Sequence, residues 1–470
     1  MTAPPMKSAA STRRDRCAVF IATLWAFSPS IAASETISGA LARAYEANPQ
    51  LNSQRADVRA SDENVPRAKA GWRPNISAAV GVAYEYSVSV NDPLEPGVQK
   101  MASTPRAYGV TATQTLFDGQ RTANAVSGAE SGVLMAREAL REAESALLLA
   151  AATAYMDVLR DTAILALRRN NVAFLTVELQ DAQSRFAANE VTRTDVEQAK
   201  TALATGRADV ALARARLDAG VAAFRRVIGV EPSRLQPARP IERLLPPGLD
   251  GAIAVALAKN PTILGALHQV DSDEAAVKAA ESALSPTVTA AANVQQQYDV
   301  DGIPGYRQMI ADVGGQIDIP IYQGGAEYAA IRAAKERLNN TRLAVESQRR
   351  AIRANVAVAW GQLAAARASI PAYEANVKAA EFALDGVREE AKDGLRTTQD
   401  ILNAQQDLLT ARVRLVTAQR DRVVASYAVT SAMGLLSARR LGLSVAIYNP
   451  AAHYRQTRDR FFGIDTPDGR

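Results

Sequence analysis

Asn48-Pro49 recurs as Asn260-Pro261, and Pro74, which follows a tryptophan-containing turn, recurs as Pro286; both pairs lie 212 residues apart. A second set keeps a spacing of 205: Phe117-Asp118-Gly119 against Tyr322-Gln323-Gly324, Asp195 against Asp400, and Gly229 against Gly434. Self-similarity at a fixed offset marks a duplicated structural unit, so the fold must use one unit twice. The mismatch between the two offsets falls between Pro74 and Gly119, where the first copy carries the longer loop Asn91 to Pro105; insertions accumulate in exposed loops. Glu231 to Gly248 holds five prolines, which excludes regular helix and reads as an extended linker. The expected division is a first structural repeat over 34–230, a linker over 231–248, a second repeat over 249–436 and a C-terminal tail over 437–470.

Each unit reads helix, strand, strand, helix, helix. The even positions Ile76, Ala78, Val80, Val82, Tyr84, Tyr86, Val88 and Val90 are all apolar, and the odd ones between them are mostly small or polar. Such period-two alternation predicts a strand with one greasy and one wet face. Tyr108 to Phe117 is its expected partner, and the second unit offers Thr287 to Tyr298 and Ile310 to Tyr322, with Val313, Ile317, Ile319 and Ile321 on the apolar face. Their length, alternation and terminal tyrosines match membrane-spanning β-strands, although a soluble sandwich uses the same alternation. Four strands cannot close a barrel, since an open edge in lipid leaves backbone groups unpaired at several kcal/mol each. If these strands enter a membrane, several chains must combine.

Hydrophobic residues make up 48% of the 470-residue chain but aromatics only 5%, a balance that suits alanine-rich helices. No proline occurs from Arg106 to Glu231, and Thr122 to Ala188 is 67 residues long, or about 100 Å as continuous helix. A turn is expected near Ala188, Asn189 and Glu190. In the returning helix Val196, Leu203, Val210, Leu217 and Phe224 recur every seven residues, with Ala199, Gly206, Ala213, Gly220 and Val227 three later. The second unit repeats this with Ile401, Leu408 and Leu415, followed by Ala404, Ala411, Ala418 and Ala425. A seven-residue repeat of large and small residues predicts coiled-coil packing with close backbones. Each unit thus supplies an antiparallel helical hairpin. Pro371 interrupts the second long helix and is expected to kink it.

Basic Arg13, Arg14 and Arg16, the apolar run Cys17 to Ser28 and the small residues up to Ser34 form a secretory leader by pattern, expected over 1–33. Cys17 is the single cysteine and has no lipobox-like residues before it, so neither a disulfide nor a lipid anchor is expected after cleavage. The leader carries most of the formal charge of +5. The remainder is nearly neutral and sign-mixed, which argues against nucleic acid as a partner. No later stretch is long and apolar enough for a helical span.

The leader, the two copies of helix, strand pair and long hairpin, and the glycine turn after each strand pair resemble the TolC family of outer-membrane channel tunnels. The resemblance covers roughly Glu35 to Leu436. It is carried by the repeated Asn-Pro, the Leu116-Phe117-Asp118-Gly119 and Ile321-Tyr322-Gln323-Gly324-Gly325 turns, and the helix starts Thr192-Arg193-Thr194-Asp195-Val196 and Thr397-Thr398-Gln399-Asp400-Ile401. It implies a mainly α protein with a membrane β-barrel part: a homotrimer whose strands form one twelve-stranded barrel in outer-membrane lipid, continued by an α-helical tunnel across the periplasm. It also implies docking onto a periplasmic adaptor protein and an inner-membrane ABC or RND transporter. Tyr448-Asn449-Pro450-Ala451-Ala452-His453-Tyr454 is similar to members serving type I protein secretion, and the missing lipid anchor leans the same way. Type I secretion is therefore the expected role, with multidrug efflux as the alternative.

In the family the periplasmic tip is closed by polar links between coiled coils, and residue-level matching places them at Arg396, Thr194 and Asp195. The family's aspartate ring at the constriction matches Asp400, its second acid is Asn403 here, and Asp407 shares their helix face at i, i+3 and i+7. The tyrosine expected near the tip is Ala391, so that tether is absent. Asp195 and Asp400 also stand at helix starts, where a carboxylate caps free amides, and this reading is equally expected. An enzyme is not expected: His268 and His453 are isolated, and there is no phosphate loop, clustered metal-ligand set or cofactor motif. A periplasmic coiled-coil adaptor or scaffold would share the leader and hairpins, but adaptors usually have a single hairpin, and here strands are embedded twice.

Overall fold

The computed structural model describes residues 35–90, 94, 97–300 and 303–467; the leader expected over 1–33, with Cys17, lies outside them. The chain is mainly helical with a small sheet. Helices α1 (Ile37–Ala47), α2 (Pro49–Asp62) and α3 (Asn64–Lys69) lead into strands β1 (Asn75–Val82), β2 (Glu85–Val90), β3 (Val98–Ser103) and β4 (Arg106–Phe117). Two long helices follow, α4 (Arg121–Ala187) and α5 (Arg193–Ile228). Then come α6 (Leu249–Lys259), α7 (Pro261–Glu281), β5 (Thr287–Tyr298), β6 (Arg307–Asp318), α8 (Ala326–Lys392) and α9 (Thr398–Ala432), closed by the short α10 (Ala438–Leu441) and α11 (Pro450–Thr457).

The main sheet is antiparallel in the order β1-β4-β5-β6. Asn75 pairs with Thr113 and Thr287 with Asp318, so the second hairpin lies 212 and 205 residues beyond the first in register. Because side chains alternate, Ile76, Val80, Tyr108, Val110, Val294, Val313 and Ile317 share one face, most of it exposed. Val80 and Val313 are each 86% exposed, so nothing among the described residues covers this face. The opposite face is polar: Thr111 donates to Asn293 Oδ1 (3.1 Å), and Asn293 Nδ2 donates to Asp312 Oδ1 (3.2 Å).

Two strand expectations are corrected. The alternating run 76–90 is not one strand: it breaks at Ala83 and Tyr84, and its second half leaves the sheet as β2 to pair with β3, which occupies part of the expected loop Asn91 to Pro105. Pro105, just before β4, accepts from Ala83 N (3.0 Å) but has no N–H with which to extend the ladder. The last strand runs Arg307–Asp318 rather than Ile310 to Tyr322. Thr287, the first residue of β5, already pairs with Asp318, and Pro320 cannot donate.

Both α4 and α8 contain 67 residues, and no helix of the described residues is long and apolar enough to cross a membrane. α8 runs unbroken through Pro371, whose missing N–H leaves the Arg367 carbonyl without its helical donor. The heptad stripe of α5 is buried at Val196, Ala199, Leu203, Gly206, Ala213 and Phe224, and that of α9 at Ile401, Leu408, Ala411, Ala418 and Ala425. A Cβ at Gly206 would lie 2.9 Å from Leu175 Cδ1 on α4, which is why small residues alternate with large ones there.

The Asn-Pro motifs have a definite job. Asn48 caps α2 by accepting from Gln50 N (2.9 Å) and Leu51 N (3.3 Å), with Pro49 at the first helical position, where its missing N–H is harmless. Asn260 caps α7 in the same way through Thr262 N (2.9 Å).

The largest cluster of buried residues among those described lies where α1, α4, α5, α9 and the chain end meet, around Leu148, Tyr155 and Phe224. The Tyr155 hydroxyl is 2.7 Å from the carbonyls of both Glu35 and Gln236, tying the proline-rich segment to the first unit. That segment is tied to the second unit by Glu242, which takes Arg422 Nε (2.8 Å) and also Arg367. The C-terminal segment packs rather than trailing: Ala438 N donates to Glu144 (2.7 Å), and His453 Nδ1 lies 2.9 Å from the buried Asp62 carboxylate.

Candidate functional site

The ends of the two hairpins lie about 100 Å along α4 and α8 from the sheet, at ~1.5 Å per residue. Each turn is built identically. Asn189 (φ 62) and Gly394 (φ 75) adopt the left-handed conformation that ends a helix, and the following amides reach back, Glu190 N to Arg185 O (2.8 Å) and Leu395 N to Glu390 O (2.9 Å). The returning helices then start on reciprocal caps. Asp195 Oδ2 accepts from the Thr192 amide (2.9 Å) and hydroxyl (2.7 Å), and Asp400 Oδ2 accepts from those of Thr397 (2.9 and 2.8 Å). The side-chain hydrogen bond from Thr192 holds the Asp195 carboxyl below the usual range, and the backbone hydrogen bond from Thr397 does so for Asp400.

The expected tip residues fall into three places. Asp195 and Asp400 are helix caps. Arg396 donates from Nε to Glu390 of its own hairpin at 2.7 Å, so within the chain it does not engage Thr194 or Asp195. Thr194 and Asn403 line one groove of about 530 Å³ between the two hairpins, together with Asn171, Asp209, Gln399 and Gln405. Asn403 accepts from Gln399 Nε2 (2.8 Å), and both Asn403 and Asp407 are exposed on α9. Ala391 is buried between α8 and α9.

Two cross-links that join the hairpins toward the tip were missed from sequence. Arg388 of α8 donates to Glu178 Oε1 of α4 (3.1 Å) and lies 4.6 Å over the ring of Phe174. Gln405 of α9 donates to Asn171 Oδ1 of α4 (2.9 Å), and Asn171 is buried. An asparagine and a glutamate at buried stripe positions of a helix were the signal: such groups are kept where a partner satisfies them. The groove floor and these bonds can hold the hairpins together or part under a competing polar ligand; among the described residues no group of histidine, cysteine, aspartate or glutamate is arranged for a metal.

A family model described as outer membrane efflux protein matches residues 40–230 and 252–435. The chain is 41% identical to the outer membrane efflux protein BepC of Brucella suis biovar 1 over 93% of this chain and 94% of that one. It is 25% identical to the outer membrane protein TolC of Escherichia coli, over 78% and 76% of the two chains. It is 26% identical to the alkaline protease secretion protein AprF of Pseudomonas aeruginosa, over 60% of each. The fold is similar to the crystal structure of the Campylobacter jejuni CmeC outer membrane channel, with a TM-score of 0.76 and 13% identity over 90% of this chain and 89% of that one.

Proposed function

This chain belongs to the outer membrane efflux protein family, and from that premise we propose that three copies assemble into one export conduit served by a periplasmic adaptor and an inner-membrane transporter. It is an outer-membrane channel protein whose tunnel extends into the periplasm, not an enzyme. The single observation that carries the trimer is the sheet: four strands, two unpaired edges and an exposed apolar face. Twelve strands from three chains remove every edge from lipid. In this reading 34–230 and 249–436 are the repeats, 231–248 the linker, 437–470 a tail and 1–33 the leader.

For cargo, the 41% identity to the outer membrane efflux protein BepC along nearly the whole chain supports efflux. Type I protein secretion is the second reading, supported by the tail from Tyr448 to Tyr454 and by the shorter match to AprF. At the tip, Asp400, Asn403 and Asp407 line the lumen, and Arg396 links to Thr194 and Asp195 of a neighbouring chain, exchanging for its own Glu390. Such a charge-assisted bond biases a two-state element yet yields to a docking partner.

Membrane fractionation tests the assignment. Recovery of a heat-modifiable trimer from detergent-extracted outer membrane is expected, and a soluble periplasmic monomer would overturn it. A deletion strain then separates cargo: sensitisation to toxic small molecules with normal protein secretion is expected for efflux, and the converse for type I secretion.

A further inference from the structure

Past α11 the chain reaches the rim of the sheet that faces the helices, and it is held there. Lys69 Nζ lies 2.6 Å from Asp459 Oδ1, Arg73 Nη1 donates to the Arg460 carbonyl (2.8 Å), and the Arg73 guanidinium lies 4.1 Å over the Phe461 ring. Arg73 stands two residues before Asn75, where β1 begins. The two cations belong to one copy of the repeat only: 212 residues on, Lys69 is matched by Glu281 and Arg73 by Ser285. The second unit therefore has no means of holding such a segment.

The held segment is a closed turn. Arg460 folds back over it, donating from Nε to the Phe462 carbonyl (3.3 Å) and from Nη1 to the Asp465 carbonyl. Gly463 turns the chain beneath that side chain at φ +108, where a Cβ would meet Arg460 Nη2 at 2.7 Å. What the turn presents is apolar and bare: Phe461 is 72% exposed, Phe462 90% and Ile464 99%. A fraying end would need neither the ion pair nor the closing arginine. A turn that is built and still leaves three large apolar side chains uncovered calls for an apolar surrounding.

We propose that residues 460–465 form a membrane foot, which Lys69 and Arg73 hold beside the barrel so that Phe461, Phe462 and Ile464 enter the periplasmic-leaflet interface of the outer membrane. Lipid is the occupant by continuity. The apolar face of the strands stays exposed to Ile76 and Ile317, each one residue inside its strand end, and Trp72, also exposed, precedes Arg73 at the level where amphipathic rings favour headgroups. The charge agrees with it: Arg455 and Arg458, just before the turn, are exposed, and cations beside an apolar wedge suit phosphate headgroups. The foot needs the barrel in lipid, but neither the cargo nor the tip gate.

Cys17 lies in the expected leader, so a cysteine introduced into the exported chain is labelled alone. The full chain with Phe462→Cys or Ile464→Cys carries an environment-sensitive fluorophore in phosphatidylethanolamine and phosphatidylglycerol vesicles. The quencher is a nitroxide on the lipid acyl chains or iodide in the buffer. Ile76→Cys is the lipid-facing reference, and Gln456→Cys, exposed on α11, is the aqueous one. Labels at both foot positions should lose fluorescence to the nitroxide as Ile76→Cys does and resist iodide. Adding Lys69→Glu and Arg73→Ser, the residues of the second copy, should reverse this for Phe462→Cys. Iodide access equal to that at Gln456→Cys overturns the foot, and protection from both quenchers overturns lipid as its occupant and leaves protein. Unchanged nitroxide quenching in the Lys69→Glu, Arg73→Ser background overturns those cations as its holders. If Ile76→Cys itself escapes the nitroxide, the barrel is not in lipid and the foot falls with it.

Discussion

The side-chain amide of Asn260 donates to the carbonyl of Ala432 at 2.9 Å, and Asn48 makes the same bond to Val227 at 3.0 Å. Each asparagine therefore does two tasks with one side chain. Its oxygen starts a short helix, and its nitrogen locks that helix to the last turn of a returning coiled-coil helix.

Replacing Asn260 with Ala removes both bonds at a site 4% exposed. Loss of the cap and the unpaired carbonyl together should destabilise the chain by about 2–3 kcal/mol. A lower unfolding temperature of the purified trimer checks this, and Asn48→Ala should match it; a shift in only one of them would break the equivalence of the two bonds.

Gly434 and Gly229 follow the two returning helices with positive φ, +71 and +91, but only Gly434 is crowded: a Cβ there would lie 2.4 Å from Pro261 Cδ and 2.6 Å from Asn260 Cα. Gly229→Ala should lose about 1 kcal/mol from backbone strain alone. Gly434→Ala adds a clash with backbone and should lose about 3 kcal/mol or more, seen as a larger fall in denaturation midpoint or as failure to accumulate.

Arg388→Ala strands the Glu178 carboxylate, whose side chain is only 11% exposed, against α8. Because Arg388 is 40% exposed, the loss in stability should be small, about 1 kcal/mol. If the hairpin tips form the gate, single-channel conductance in planar bilayers should rise, and Arg396→Ala and Asp195→Ala should raise it too. Unchanged conductance in Arg396→Ala and Asp195→Ala removes those residues from the gate.

The caps at Asp195 and Asp400 make tip order acid-sensitive. Their carboxyls are held below the usual range in the folded chain, so their contribution is complete above the unfolded value near ~3.9 and is lost as pH falls through the lower folded value. Amide hydrogen exchange in the first turns of α5 and α9, corrected for intrinsic rate, should stay flat from neutral pH down to about 4 and accelerate below it.

The long-range plan was legible because it was written in periods and offsets. Heptads placed the buried stripes of α5 and α9, and the recurring Asn-Pro and glycine turns marked the ends of elements. Strand bounds were not legible, because they depend on what lies opposite: alternation continues through Ala83 and Tyr84 and through Ile319 and Ile321, but no partner amide does. At the tip, Asp195 and Asp400 announced their caps through the Thr-x-x-Asp spacing. The bonds from Arg388 to Glu178 and from Gln405 to Asn171 join residues more than two hundred positions apart, and only the packing of one hairpin on the other brings them together.

Pro371 has no counterpart in α4, so of two struts equal in length only one is missing a backbone bond partway along. A closed ring of three such chains would alternate firm posts with jointed ones, and any dilation of its far end would be carried by three yielding members braced against three that stay put.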